Sequence, residues 1–275
     1  KMVISKFMNK SFYERLFSGI ILVIIALITI ILGNDILLVT VGIVSLIGLY
    51  EMNRVFGIEK YATGILSYIA VIIYYAMLRF DMMTYVPFLI VALLIACMAI
   101  YVFEFPKCKT EQVMAAIFGT IYVAVMLSFV YLVRMGNNGA YNVWLIFLCS
   151  WGSDTCAYLA GVAFGKHKMA PVLSPKKSVE GAVGGVVGAA ALGAIYATIF
   201  SSNITMSINP VAGFAIICAV GALISMVGDL AASAIKRNHD IKDYGKLIPG
   251  HGGIMDRFDS VIYVAPVIWI LLQIF

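Results

Sequence analysis

The sequence predicts an all-α, polytopic integral membrane protein with about nine transmembrane helices, and three observations predict it. Hydrophobic residues fill 63% of the 275 positions and charged residues only 12%, about half the charged share of a soluble domain. Mean hydropathy is +1.01, more apolar sequence than a soluble core of this size uses. Apolar runs close to the ~20 residues needed to cross a bilayer as a helix recur along the whole chain.

The runs fall at about 16–33, 36–52, 61–79, 84–103, 112–133, 141–165, 179–200, 209–232 and 259–275. The first follows Lys6, Lys10 and Arg15, as in a secretory leader. No small-residue cleavage site comes after it, so it reads as the first span. The second is short and weakly separated from the first, which leaves eight spans open. Residues 1–140 thus form an N-terminal group of about five spans. Residues 141–275 form a C-terminal transmembrane region, with loops 166–180 and 236–259, where the polar residues concentrate. There is no soluble domain, linker or internal repeat, and the halves are not inverted copies, which weakens a secondary-transporter reading.

Charge gives the orientation. With nine spans, 17 of the 19 Lys and Arg residues fall on the face that holds the N-terminus, and only Arg79 and Arg134 on the other. The positive-inside rule makes the rich face cytoplasmic. The chain is therefore expected in the cell inner (cytoplasmic) membrane as a multi-pass protein. Its net charge of +5 suits anionic headgroups and anionic substrates at the bilayer surface rather than nucleic acid.

Five cysteines, Cys97, Cys108, Cys149, Cys156 and Cys218, form no CxxC pair, and a zinc or disulfide site has little support. In the seventh span Gly181, Gly184, Gly185 and Gly188 form two overlapping GxxxG pairs, which predict close helix packing. Asn203-Ile204-Thr205 matches a glycosylation sequon, read here as coincidence in a short external loop.

Polar chemistry gathers in the last 125 positions. Asp154 lies mid-span, where a carboxylate costs about 2.5–3.5 kcal/mol on insertion scales. It should face a polar cavity, or else pair with a cation from a neighbouring helix. Ser174-Pro175-Lys176-Lys177-Ser178 precedes a helix starting near Val179. Ser178 is the expected N-cap, with Glu180 in the first turn. Free amides and two lysines there suit a phosphate or headgroup, against the alternative of ordinary inside-positive anchoring. Asp229, Ser233 and Lys236 or Arg237 share one helix face, the plainer reading being an Asp229–Arg237 contact. The segment 236–259 holds Asp240, Asp243, Asp256 and Asp259 with five cations, His239 and His251. Its glycine-rich turn, Pro249-Gly250-His251-Gly252-Gly253, can bring backbone amides close to a ligand. Carboxylates beside a phosphate site favour Mg²⁺. The histidines lack a zinc spacing.

These residues resemble a known family. Ser233-x-Ile235-Lys236-Arg237, Lys242-Asp243-x-Gly245 and Pro249-x-His251-Gly252-Gly253-Ile254-x-Asp256-Arg257-Phe258-Asp259 match the signature of phosphatidate cytidylyltransferases, also called CDP-diacylglycerol synthases, without a departure. Asp154-Thr155-x-Ala157-Tyr158, the Ser174–Gly181 loop and Gly228-Asp229-Leu230 resemble further family features in the expected order. The similarity is expected over about 140–275, with the N-terminal half matching only as a string of apolar spans.

The resemblance implies transfer of CMP from CTP to phosphatidic acid, giving CDP-diacylglycerol and pyrophosphate, by a magnesium-dependent enzyme that works as a homodimer with its active site facing the cytoplasm. It places Mg²⁺ on Asp229 and Asp256, with Asp259 and Asp154 as further ligands or supporting groups, and leaves room for a second cation. Lys236, Arg237 and Arg257 would neutralise CTP phosphates and the leaving pyrophosphate. His251, Gly252 and Gly253 would cradle the nucleotide phosphates. Ser174, Lys176, Lys177 and Ser178 would hold the lipid phosphate or the nucleotide, with Glu180, Ser233 and Lys242 also bordering substrate. Asp243 is expected to position rather than to act as a base. The rivals are a CTP-using lipid kinase, which would release CDP, a transporter, for which Asp154 is the only strong feature, and a structural or scaffold membrane protein, which leaves the buried acids unexplained.

Overall fold

The computed structural model describes residues 10–248, 250 and 252–275. Helices dominate: α1 Lys10–Leu32, α2 Asn34–Val55, α3 Ala62–Arg79, α4 Val86–Phe103, α5 Thr110–Met135, α6 Gly139–Phe164, α7 Val179–Phe200, α8 Pro210–Asn238 and α9 Met255–Ile274. Among the described residues eight helices are long and apolar enough to cross a membrane, and the apolar segment Phe17–Leu32 of α1 is a shorter one. The all-α polytopic reading holds. The weak boundary between the first two runs is a one-residue break: Gly33 takes φ 64° and Asn34 φ 44°, a left-handed step that ends α1.

Hydropathy marks where apolar sequence stops, and three helices continue past that point. α8 runs on to Asn238, with Lys236 and Arg237 in its last turn, where cations suit the negative end of the helix dipole. α9 begins at Met255, four residues before the apolar run, with Asp256 in its first turn. α1 likewise begins at Lys10. The loop 166–180 is not irregular throughout. It folds as an antiparallel hairpin, β1 Lys168–Ala170 against β2 Ser174–Ser178, in a segment too short, and too rich in Pro and Lys, to show a strand pattern.

Two helices are locally widened. α5 contains a π turn at Thr120–Val125 and α6 one at Leu148–Gly152. Such bulges are rare and frequent at functional sites. The one in α6 ends immediately before Ser153 and Asp154.

The chain forms two compact units. One holds the residues up to Ser128 together with Asp243–Arg257; the other holds Phe129–Lys242 and Phe258–Phe275. In the first unit α2, α3 and α5 are joined by buried polar pairs. Ser45 Oγ and Tyr75 Oη lie 2.7 Å apart, as do Tyr74 Oη and Ser128 Oγ, and Asn53 Nδ2 donates to Ser67 Oγ at 3.0 Å. Hydrogen bonds of this kind tie helices together in an apolar medium. In the second unit the small residues of α7 lie against α6. A Cβ at Gly184 would land on the Cβ of Ala160, and one at Gly188 would sit 2.5 Å from Cys156 Sγ. The packing expected of the GxxxG pairs is thus met within the chain.

Candidate active site

In the second unit an open cavity of about 490 Å³ is bordered by Asp154, Lys168, Lys176, Lys177, Ser178 and Asp229. Its remaining wall is largely apolar: Ala157, Tyr158, Val162, Met169, Ala182 and Met226. The polar groups arrive on four elements. Asp154 follows the π turn of α6. Lys168 stands on β1, Lys176 and Lys177 on β2, and Asp229 inside α8. The hairpin therefore carries the three lysines to the place where the acids of two helices point. Lys177 Nζ is ion-paired with Asp229 Oδ2, both side chains about one quarter exposed. Tyr158 and Val162 are each 71% exposed on the chain surface, so the apolar wall opens towards the surface of α6.

The expected N-cap is present: Ser178 Oγ accepts the Gly181 amide at 3.1 Å. Glu180 has a local task. Its carboxylate accepts the amides of Lys166 and His167 at 3.0 and 3.2 Å and lies 2.6 Å from His167 Nδ1. It thereby fixes the start of the hairpin to the first turn of α7. The role of His167 had no signal in the sequence, since it depends on the fold of the hairpin. Ser174 opens β2 and is not among the residues bordering the cavity.

Asp259 is 9% exposed, and Asp229, Lys236 and Asp154 are near enough to act on its charge. Ser233, Lys236 and Arg237 all lie in α8, as their shared face requires. Arg237 Nη1 donates to Ile241 O at 3.3 Å, closing the turn after the helix. Lys242 is exposed. Asp154, Lys176, Lys177, Ser178, Asp229, Lys236 and Asp259 are thus the sequence-derived residues that this unit gathers around one region.

In the first unit the segment Asp243–Arg257 folds into a tight loop. Ile248 N donates to Gly252 O at 2.9 Å, and Gly250 and Gly252 adopt φ 73° and 85°, a region open to glycine. His251 and Pro249 lie outside the described residues. Asp256 Oδ2 accepts both the Gly253 amide at 2.9 Å and the Tyr244 amide at 2.8 Å. The Gly253 amide, expected to face nucleotide phosphates, is thus directed at a carboxylate of its own loop. Asp243 and Arg257 are exposed.

Glu51 stands outside every motif of the sequence. It lies in α2 and is 3% exposed. Its two oxygens accept the Ile254 and Met255 amides at 3.1 and 2.9 Å. As at Asp154, a carboxylate within an apolar run is the one signal that marks it in the sequence. However, Glu51 sits at the end of a short span beside Arg54, where a charge passes for an interfacial one.

Among the described residues no three His, Cys, Asp or Glu side chains are gathered to hold a metal ion. Mg²⁺ is usually held through one or two carboxylates and completed by water and substrate phosphates. The second unit supplies the oxygen donors Asp154, Asp229 and Asp259, and the first unit supplies Asp256; oxygen donors of this type suit a hard cation.

Comparison with known proteins agrees with the motif. A model of the cytidylyltransferase family matches residues 13–275. The chain is 35% identical over 169 residues to a phosphatidate cytidylyltransferase of Thermotoga maritima, covering 62% of each chain. It is 38% identical over 158 residues to that of Bacillus subtilis (strain 168), covering 56% of each. With that of Staphylococcus aureus (strain COL) it shares 33% identity over 264 residues, covering 94% of this chain and 98% of the relative. The chain thus spans less than two thirds of the first two relatives and nearly the whole of the third. Contrary to the expectation that it would be confined to 140–275, the likeness spans nearly the whole chain. It reaches into the N-terminal helices that carry Glu51.

Proposed function

The chain belongs to the cytidylyltransferase family, and from that premise we propose that it transfers CMP from CTP to phosphatidic acid, giving CDP-diacylglycerol and pyrophosphate in phospholipid biosynthesis. The observation that carries this reading is the cavity of the second unit. Three lysines meet an apolar wall there, which suits a ligand with a phosphate at one end and hydrocarbon at the other.

A phosphate oxygen of phosphatidate forms a bond to the α-phosphorus of CTP. The bond from that phosphorus to the oxygen bridging to the β-phosphate breaks, and pyrophosphate leaves with the electron pair. Phosphate monoesters are largely ionised near neutral pH, so the nucleophile needs no general base. Both reactants are anions, and the protein's task is to neutralise and align them. Lys176, Lys177 and Ser178, which border the cavity, hold the lipid phosphate. Lys236, Arg237 and Arg257 neutralise the CTP phosphates and the departing pyrophosphate. Asp229 pairs with Lys177 and so orients the lysine as well as offering a carboxylate.

Mg²⁺, when bound, supplies charge neutralisation at the phosphates. By resemblance to the family, we assign it to the carboxylates of Asp229 and Asp256, with Asp259 and Asp154 in support and room for a second cation. The proposal places the reaction at the cytoplasmic face of the inner membrane, supported by the side on which 17 of the 19 Lys and Arg residues fall. It takes the working form to be a homodimer, by resemblance to the family.

The test is pyrophosphate release by the protein purified in detergent. Release that requires both CTP and phosphatidic acid, and that stops when Mg²⁺ is chelated, is the expected result. Release of CDP instead would replace the reading with phosphoryl transfer.

A further inference from the structure

The signature segment is held in place from outside itself. Glu51 and Arg54 lie three positions apart on α2 and therefore on one face of it. Arg54 Nη2 donates to Tyr244 O at 2.6 Å. The amide of the same Tyr244 donates to Asp256 Oδ2. Glu51 grips the other side of Asp256, accepting the amides of the two residues before it, Ile254 and Met255. These are the opening amides of α9, which have no partner within their own helix. Gly245 and Gly253 of the loop lie against this carboxylate, and Gly245 also lies against the backbone of Gly253. A Cβ at either position would fall inside contact distance of the Glu51 carboxylate. These two glycines, invisible as a pair in the motif, are the room through which Glu51 reaches the loop.

We propose that Glu51, seconded by Arg54, is a positioning residue for the reaction: it sets the direction of Asp256 and Arg257 by fixing the amides before them and the Tyr244 backbone beside them. The inference rests on the reading of Asp256 as part of the active site. Glu51 touches no substrate. It acts through the loop, and its loss should lower turnover rather than lipid binding. Misplacement of a reacting group by about 1 Å can cost on the order of 100-fold.

The experiment compares Glu51→Gln and Glu51→Ala with the full-length protein in detergent, reading steady-state kinetics beside hydrogen exchange of the 243–257 peptide. Gln keeps the size but offers one accepting oxygen where the loop presents two amides. The expected result is graded. kcat should fall about 10-fold in Gln and about 100-fold in Ala, with KM for phosphatidic acid changed less than about 3-fold. Exchange of the 243–257 peptide should quicken in the same order, while peptides from α7 and α8 keep the wild-type rate. Wild-type kcat with quickened exchange, or unchanged exchange with either kcat, overturns the proposal. So does exchange quickened equally in α7 and α8, which would make Glu51 a mere support of the fold. Asp256→Asn, measured alongside, separates the two readings. If it keeps wild-type turnover, the role given to Asp256 fails, while the exchange data still decide whether Glu51 holds the loop.

Discussion

Oε2 of Glu51 accepts the amide of Met255 at 2.9 Å, across 204 positions of the chain. A carboxylate from the second helix thus caps the last one. The caps that sequence usually reveals are local: Ser178 accepts the amide of Gly181, three residues on. This one is supplied by tertiary structure. Its trace in the sequence is a pair of glycines and an acid near the end of an apolar run.

Gly245→Ala should remove activity without unfolding the protein. The added methyl would occupy the place of the Glu51 carboxylate, so the loop or the acid must move. A fall in kcat of at least about 10-fold is expected, with an unchanged elution volume in detergent. Wild-type turnover would show that the loop tolerates the shift.

Lys177→Met should raise KM for phosphatidic acid about 10-fold or more and leave KM for CTP nearly unchanged. The side chain keeps its apolar stem and loses the charge that meets Asp229. Losing a charge-assisted bond to a phosphate costs about 1.5–3 kcal/mol. An equal rise for both substrates would move the lysine to the nucleotide.

Asp256→Ala should abolish turnover by at least about 100-fold at saturating Mg²⁺. Two amides, from Tyr244 and Gly253, would also lose their acceptor. Asp256→Asn keeps one oxygen for those amides and should preserve the melting temperature while still losing activity. Activity retained in Asn would limit Asp256 to holding the loop.

Gly184→Leu should lower the melting temperature in detergent by several degrees. A Cβ there already meets Ala160, and overpacking typically costs about 1–3 kcal/mol. As a contrast, Arg79→Ala removes an ion pair to Asp35 whose side chains are both more than half exposed. It should cost no more than about 1 kcal/mol, with activity intact. A larger loss at Arg79 than at Gly184 would contradict the packing description.

Much of this was legible in the sequence. The apolar runs locate the helices because a bilayer sets one length for all of them. The N-cap at Ser178, the shared face of Asp229, Ser233 and Lys236, and the packing of the α7 glycines follow from spacing alone. Three features were not legible. The β1–β2 hairpin is too short to show an alternating pattern. The helix ends at Asn238 and Met255 lie outside the apolar runs, where hydropathy carries no information. The task of Glu51 depends on which distant amides it meets, and no local pattern encodes that. The same holds for Glu180: its first-turn position was readable, but its grip on the Lys166 and His167 amides depends on the hairpin.

In the proposed reaction one bond forms and one breaks, both at the α-phosphorus of CTP. Purified protein given phosphatidic acid and CTP labelled in parallel at the α- or the γ-phosphate tests it most directly. With transfer of CMP, α-label enters the lipid phase while γ-label stays in water as pyrophosphate, both only with Mg²⁺ present. Label from the γ-phosphate in the lipid phase, with CDP in water, would contradict it.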